Sequence, residues 1–233
     1  MKIAIVVYPG SNCDRDVFRI LNNVLNVEAK LIWHTDKNIG EFDGIILPGG
    51  FSYGDYLRAG VIAAYSPIME EIKNMAREGK PVLGICNGFQ ILVEAGLLPG
   101  ALLRNIGLKF ICKWIGLKVE NSDTIFTRHM KKDDIQYMPI AHNEGRYFID
   151  EDDLKDLKRH NQIVFRYTSP NKGELDDYNP NGSVEGIAGV CNDKGNIMGL
   201  MPHPERASEK LLSPYGDNSG INIFSSIISS IGE

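Results

Sequence analysis

Apolar residues recur along this chain with two different periods. Lys2–Tyr8 (KIAIVVY), Ala29–His34 (AKLIWH), Gly44–Leu47 (GIIL) and Pro81–Ile85 (PVLGI) are short, almost unbroken apolar runs. Strands covered on both faces show that pattern. Between them, Val17, Phe18, Leu21, Val24 and Leu25 fall at helical spacing within Asp14–Asn26, with Ser11 or Asn12 available as a cap. Tyr56–Tyr65, Pro67–Arg77 and Asn87–Ala95 also read as helices. Strands alternating with helices predict an open, mostly parallel α/β sheet flanked by helices, with ligands at the carboxyl ends of the strands.

The rhythm changes between about Leu102 and Tyr167. Phe110–Glu120, Thr124–Arg128 and Ile135–Ile140 are β-rich with turn residues between them, which predicts an antiparallel β excursion in the middle of the chain. Asn171–Ser183 is polar and without period, hence a loop. Ile187–Cys191 and Asn196–Met201 return as strands, and Ile221, Phe224, Ile227, Ile228 and Ile231 put one apolar face on a closing helix over Gly220–Ile231. No repeat, linker or low-complexity tract interrupts the chain, so one domain over 1–233 is expected.

Composition narrows the function classes. The 233 residues are 43% hydrophobic and 24% charged with a net charge of -5, ordinary for a globular protein. Short basic clusters such as Lys131-Lys132 and Lys158-Arg159 have acidic residues close by and read as solvated surface, so nucleic acid is not expected as a partner. No apolar run approaches the roughly 20 residues that span a bilayer. The N-terminus lacks the long apolar core and cleavage site of a leader and reads as a buried strand, so a cytoplasmic protein without a membrane partner is expected. The four cysteines (Cys13, Cys86, Cys112, Cys191) contain no CxxC pair, which speaks against both disulfides and structural zinc.

Candidate chemistry sits where strands end. Gly84-Ile85-Cys86-Asn87-Gly88 is a G-x-nucleophile-x-G turn between a strand and a helix. Its glycines suit a tight, strained turn. The following helix N-terminus favours a thiolate and leaves the Asn87 N–H free for an oxyanion. The same sulfur could equally be a small core residue. Pro202-His203-Pro204-Glu205 follows a core strand, and two prolines stiffen it. It offers an imidazole and an acceptor to orient it. His142-Asn143-Glu144 is a second H-x-E, ranked below His203 because it follows the β excursion rather than a core strand. Gly49-Gly50-Phe51 after the third strand could supply a further oxyanion donor. No G-x-x-x-x-G-K-[ST], G-x-G or H-E-x-x-H occurs, so nucleotide binding and metal catalysis have no support.

Cys86, His203 and Glu205, in that order on a parallel sheet, resemble the site of class I (triad-type) glutamine amidotransferases, a flavodoxin-like fold. PGSNCDRD (Pro9–Asp16), LPGGFSYGDYLRAG (Leu47–Gly60), GICNGFQIL (Gly84–Leu92), PIAHNEGRY (Pro139–Tyr147), NPNGS (Asn179–Ser183) and GLMPHPER (Gly199–Arg206) narrow the resemblance to the glutaminase subunits that serve purine biosynthesis. The resemblance implies that Cys86 attacks the glutamine carboxamide and forms a thioester. Gly50 or Phe51, together with Asn87, would hold the oxyanion. His203, oriented by Glu205, would move the protons, and Gly49 and Gln90 would help bind glutamine. It further implies a larger ATP-using synthetase subunit that receives the ammonia, and a small bridging subunit. No cofactor is expected in this chain; ATP and magnesium belong to the synthetase. Cys13 is expected to pack, and Ser213–Gly220 looks longer than the family's usual turn. The rivals are a glutamyl-peptide hydrolase of the same fold and an inactive regulatory module, the latter disfavoured by the intact set of three.

Overall fold

The computed structural model describes residues 1–171 and 178–232. Among these, the strands are β1 (Lys2–Val7), β2 (Glu28–Trp33), β3 (Gly44–Leu47), β4 (Val82–Ile85), β5 (Ala101–Leu103), β6 (Ile111–Val119), β7 (Ile135–His142), β8 (Arg146–Phe148), β9 (Ile163–Thr168), β10 (Ile187–Cys191) and β11 (Ile197–Leu200). The helices are α1 (Asp14–Arg19), continued by a π turn over Ile20–Val24, α2 (Ile68–Arg77), α3 (Asn87–Glu94), α4 (Glu151–Arg159) and α5 (Ile221–Ile231).

Nine strands form one sheet in the order β2-β1-β3-β4-β11-β10-β9-β6-β7, and β5 pairs with β8 separately. From β2 to β11 all neighbours are parallel. From β11 to β7 they are antiparallel. The parallel half is the core that the apolar runs predict: Ala4, Ile5, Ile45, Leu47, Val82, Leu83 and Ile85 are at most 1% exposed. The β excursion extends the same sheet instead of standing apart from it. No helix among the described residues is long and apolar enough to cross a membrane.

Several local expectations change. Helix α1 starts from Cys13 without a side-chain cap, rather than from Ser11 or Asn12. Tyr56–Tyr65 is not a helix; only Ala63–Tyr65 makes a 3₁₀ turn. Asp55, Leu57 and Gly60 take positive φ, which a right-handed helix excludes. The loop also closes onto α3 so tightly that a Cβ on Gly60 would lie 2.7 Å from the Ile91 nitrogen. Thr124–Arg128 is a turn rather than a strand, because the two threonine hydroxyls, 2.9 Å apart, take over the local backbone bonding. Helix α4 has no counterpart in the apolar pattern, since only Leu157 is buried. Its signal is the cap, with the Asp150 carboxylate accepting from the Asp152 and Asp153 N–H groups. The centre of the polar loop expected over Asn171–Ser183 lies outside the described residues.

Candidate active site

The register of the parallel core builds the site. Leu200 on β11 pairs with Ile85 on β4, so the chain leaving β11 toward His203 runs beside Cys86. The Cys86 N–H donates to the Leu200 carbonyl at 2.8 Å, and the His203 N–H donates to the Pro139 carbonyl of β7 at 2.9 Å. Both halves of the sheet therefore hold the site.

Cys86 is the turn between β4 and α3, with φ 49° and ψ -102°, outside the region L-residues prefer. Such strain persists only where its surroundings enforce it. Here the flanking glycines make room. A Cβ on Gly88 would meet the Leu47 carbonyl oxygen at 1.9 Å, and one on Gly84 would meet Gly88 at 2.7 Å. The helix start is thereby drawn onto the end of β3. The Cys86 side chain is 5% exposed, and its sulfur lies 3.8 Å from the Ala141 carbonyl oxygen.

His203 Nδ1 is 2.6 Å from Glu205 Oε1, and the two side chains are 2% and 0% exposed. His203 Nε2 and Glu205 Oε2 are buried without a hydrogen-bond partner among the described residues. Burial alone would drive the imidazole toward neutrality. The Glu205 carboxylate and the nearby Cys86 sulfur outweigh burial and hold His203 well above the ordinary histidine range.

The oxyanion candidates differ in whether their N–H groups are engaged. The Phe51 N–H donates to the Gly10 carbonyl at 2.9 Å, so it is already engaged. The N–H groups of Gly50 and Asn87 carry no hydrogen bond among the described residues. Gly49 packs against the triad instead of facing the cavity: a Cβ there would lie 2.7 Å from His203 Cε1. Gln90, expected to help bind glutamine, is tied to its neighbours on both sides. It is 5% exposed, its amide oxygen accepts from Asn87 Nδ2 at 2.9 Å, and its amide nitrogen donates to the Glu144 carbonyl at 2.6 Å. Gln90 therefore ties the elbow to the β7–β8 turn. Asn87 is tied in as well, its Oδ1 accepting from the Ser52 N–H at 3.0 Å.

The second H-x-E comes apart. His142 is 1% exposed, with Nδ1 3.1 Å from Asn105 Oδ1, and burial and the charge of His203 push its pKa down to about 3. Glu144 turns instead toward Arg104 and the Ala59 N–H. His34 contacts the Tyr53 hydroxyl and His129 contacts Ser229, both away from this centre.

A cavity of about 270 Å³ opens over the centre, with Gly50, Phe51, Cys86, Ala141, His203 and Arg206 among its walls. The larger cavities touch neither Cys86 nor His203, although one of about 400 Å³ is walled in part by Glu205 and Arg206. Arg206 has no role in the sequence reading, and Cys13 is expected there only to pack. Arg206 donates from Nη2 to Cys13 Sγ at 3.0 Å, and Cys13 is 1% exposed beside His203. Cys13 follows β1 at the carboxyl edge of the sheet, and that position was the available signal.

A thiol on a strained strand-to-helix turn, a buried imidazole–carboxylate pair beside it and two free N–H groups from separate loops define a thiol-dependent acyl-transfer site on an α/β sheet. The sequence pattern of the CobB/CobQ-like glutamine amidotransferase domain matches residues 1–228, and the chain belongs to that family. It is 47% identical to a chain of the structure described as PurLQS from Thermotoga maritima, covering 99% of this chain and 98% of that one with a TM-score of 0.85. A glutamine amidotransferase from Thermotoga maritima shares the fold at 17% identity, with 100% and 98% covered and a TM-score of 0.61.

Proposed function

We propose that this chain is the glutaminase component of phosphoribosylformylglycinamidine synthase in purine biosynthesis, acting in the cytoplasm as one catalytic domain. Cys86 on its strained turn, opposite the buried His203–Glu205 pair, carries the reading. The Cys86 sulfur attacks the side-chain carboxamide of glutamine. The tetrahedral oxyanion then forms within reach of the Gly50 and Asn87 N–H groups. His203 hands its proton to the departing nitrogen, and Glu205 stabilises the imidazolium while it exists. Ammonia leaves and a glutamyl thioester remains on Cys86. Water, deprotonated by His203, then releases glutamate.

Free ammonia is protonated at neutral pH and loses its nucleophilicity, so the product has to pass directly to a partner. The near full-length likeness to a chain of PurLQS supports a complex of the same make-up. In it, a larger synthetase subunit uses ATP and magnesium to activate the amide of formylglycinamide ribonucleotide, and a small subunit bridges the two. In the reconstituted complex, Cys86→Ala should abolish glutamine-dependent synthesis and leave ammonia-dependent synthesis intact. Undiminished use of glutamine by that variant would sink the assignment.

A further inference from the structure

Three groups that bind soft cations converge behind Gly49. One ligand atom each from Cys13, His203 and Glu205 lie within 4.8 Å of one another, and all three residues are buried. Cys13 comes from the loop after β1 and the other two from the turn after β11, so no spacing along the chain announces the set. Two of the three side chains carry a polar atom without a partner, His203 Nε2 and Glu205 Oε2. Cys13 and His203 both line the 270 Å³ cavity, which gives a small ion a way in.

We propose that Cys13, His203 and Glu205 form an inhibitory site for a soft divalent cation of the zinc class, which silences the glutaminase by occupying its imidazole. Thiolate, imidazole and carboxylate are zinc ligand types, and three protein ligands leave a fourth position for water. Metal–ligand bonds of about 2.0–2.3 Å require the widest pair to draw in by on the order of 1 Å, which side-chain rotation supplies. Thiolate and carboxylate together balance the charge of a dication. Two protons leave on binding, one from the Cys13 thiol and one from the imidazolium nitrogen that takes the metal, so binding tightens as pH rises. An imidazole whose lone pair the metal holds can neither accept nor return the proton that acyl transfer needs. Arg206 opposes entry: its Nη2 sits 3.0 Å from Cys13 Sγ and its Nε 3.9 Å from Glu205 Oε1, so it has to swing away from two of the three ligands, toward Asp16 Oδ2, already 3.8 Å from Nε. Removing that charge by Arg206→Gln therefore tightens binding.

The silencing rests on the glutaminase reading; the site does not. Cobalt(II) titrated into the intact chain serves as the spectroscopic probe. A thiolate-to-cobalt charge-transfer band is expected in the native protein and in Cys86→Ser, and in neither Cys13→Ser nor Cys13→Ala once near-UV circular dichroism has shown both to be folded. Glu205→Gln, which removes a ligand by another route, should weaken the band's cobalt affinity. Zinc should inhibit glutamine hydrolysis reversibly, with EDTA restoring activity, and Cys13→Ser should need at least tenfold more free zinc. A band that survives Cys13→Ser and disappears with Cys86→Ser would place the metal on the nucleophile and overturn the proposal, as would no band in the native protein. If glutamine is not hydrolysed at all, the glutaminase reading fails while the cobalt band still decides the site.

Discussion

Replacing Gly49 by alanine puts a methyl group where the catalytic imidazole already stands. Its carbon would lie 2.7 Å from His203 Cε1, 3.1 Å from Cys13 Sγ and 3.4 Å from His203 Nδ1. The backbone cannot retreat, because the Gly49 carbonyl accepts the N–H groups of Asn12 and Cys13 at 3.3 and 3.1 Å. Non-bonded carbons prefer about 3.5 Å or more, so the ring has to withdraw by roughly 0.8 Å. Glu205 anchors that ring at 2.6 Å, and the shift misaligns Nε2 with the Cys86 sulfur rather than freeing it. A displacement near 1 Å costs on the order of 10²-fold in rate, about 2.7 kcal/mol of barrier. Overpacking should also remove about 1–3 kcal/mol of stability. Steady-state glutamate release should therefore show kcat/KM down by about 10²-fold, while ammonia-dependent synthesis in the reconstituted complex stays at the native rate. Gly40→Ala is the control, since no atom lies within 4 Å of its added Cβ. A folded Gly49→Ala protein within threefold of native activity would refute the claim that this close approach sets the imidazole.

Three further outcomes are expected. His203→Ala should abolish glutamine hydrolysis, whereas His142→Asn should retain it; equal losses would mean that the base has been misassigned. His142, pushed down to about 3 by burial and His203, stays neutral when folded and takes up a proton near pH 6.5 when unfolded. Its contribution is complete above pH 6.5 and is lost as pH falls toward 3, so at pH 5 the native protein should be about 2 kcal/mol less stable than at pH 7 from this group. His142→Asn should remove that difference between urea midpoints, and an unchanged difference would contradict it. Asp55, raised to about 6 by burial and then by Glu144, has an Oδ1 without a hydrogen-bond partner among the described residues. An acid with a raised folded pKa loses stability as pH climbs from about 3.8 to 6. Asp55→Asn should therefore gain up to about 1 kcal/mol at pH 7, after allowance for its half-exposed position, and only about a fifth of that at pH 4, as read from thermal melts at the two values.

What the chain alone determined is what local chemistry dictates. Short unbroken apolar runs such as GIIL, bounded by glycine and proline, read as strands covered on both sides, and GICNG reads as a tight turn that favours glycine on either side of the cysteine. Proline-stiffened HPE had to leave its strand as one rigid unit. These features marked Cys86, His203 and Glu205 without any knowledge of distance. The roles that depend on who stands opposite whom were beyond local pattern. Whether the Phe51 N–H is free depends on Gly10, in the loop after another strand. Gln90 became a brace because the Glu144 carbonyl, on a different strand's turn, reaches it. His142 and His203 look alike in sequence, and only the β11–β4 register puts one beside the nucleophile and leaves the other neutral in the core. Cys13 read as packing because its neighbours, Arg206 and His203, come from the far end of the chain. Hydrogen bonds and burial are properties of the assembled sheet, so the motif could name the reacting atoms while the fold alone assigned what surrounds them.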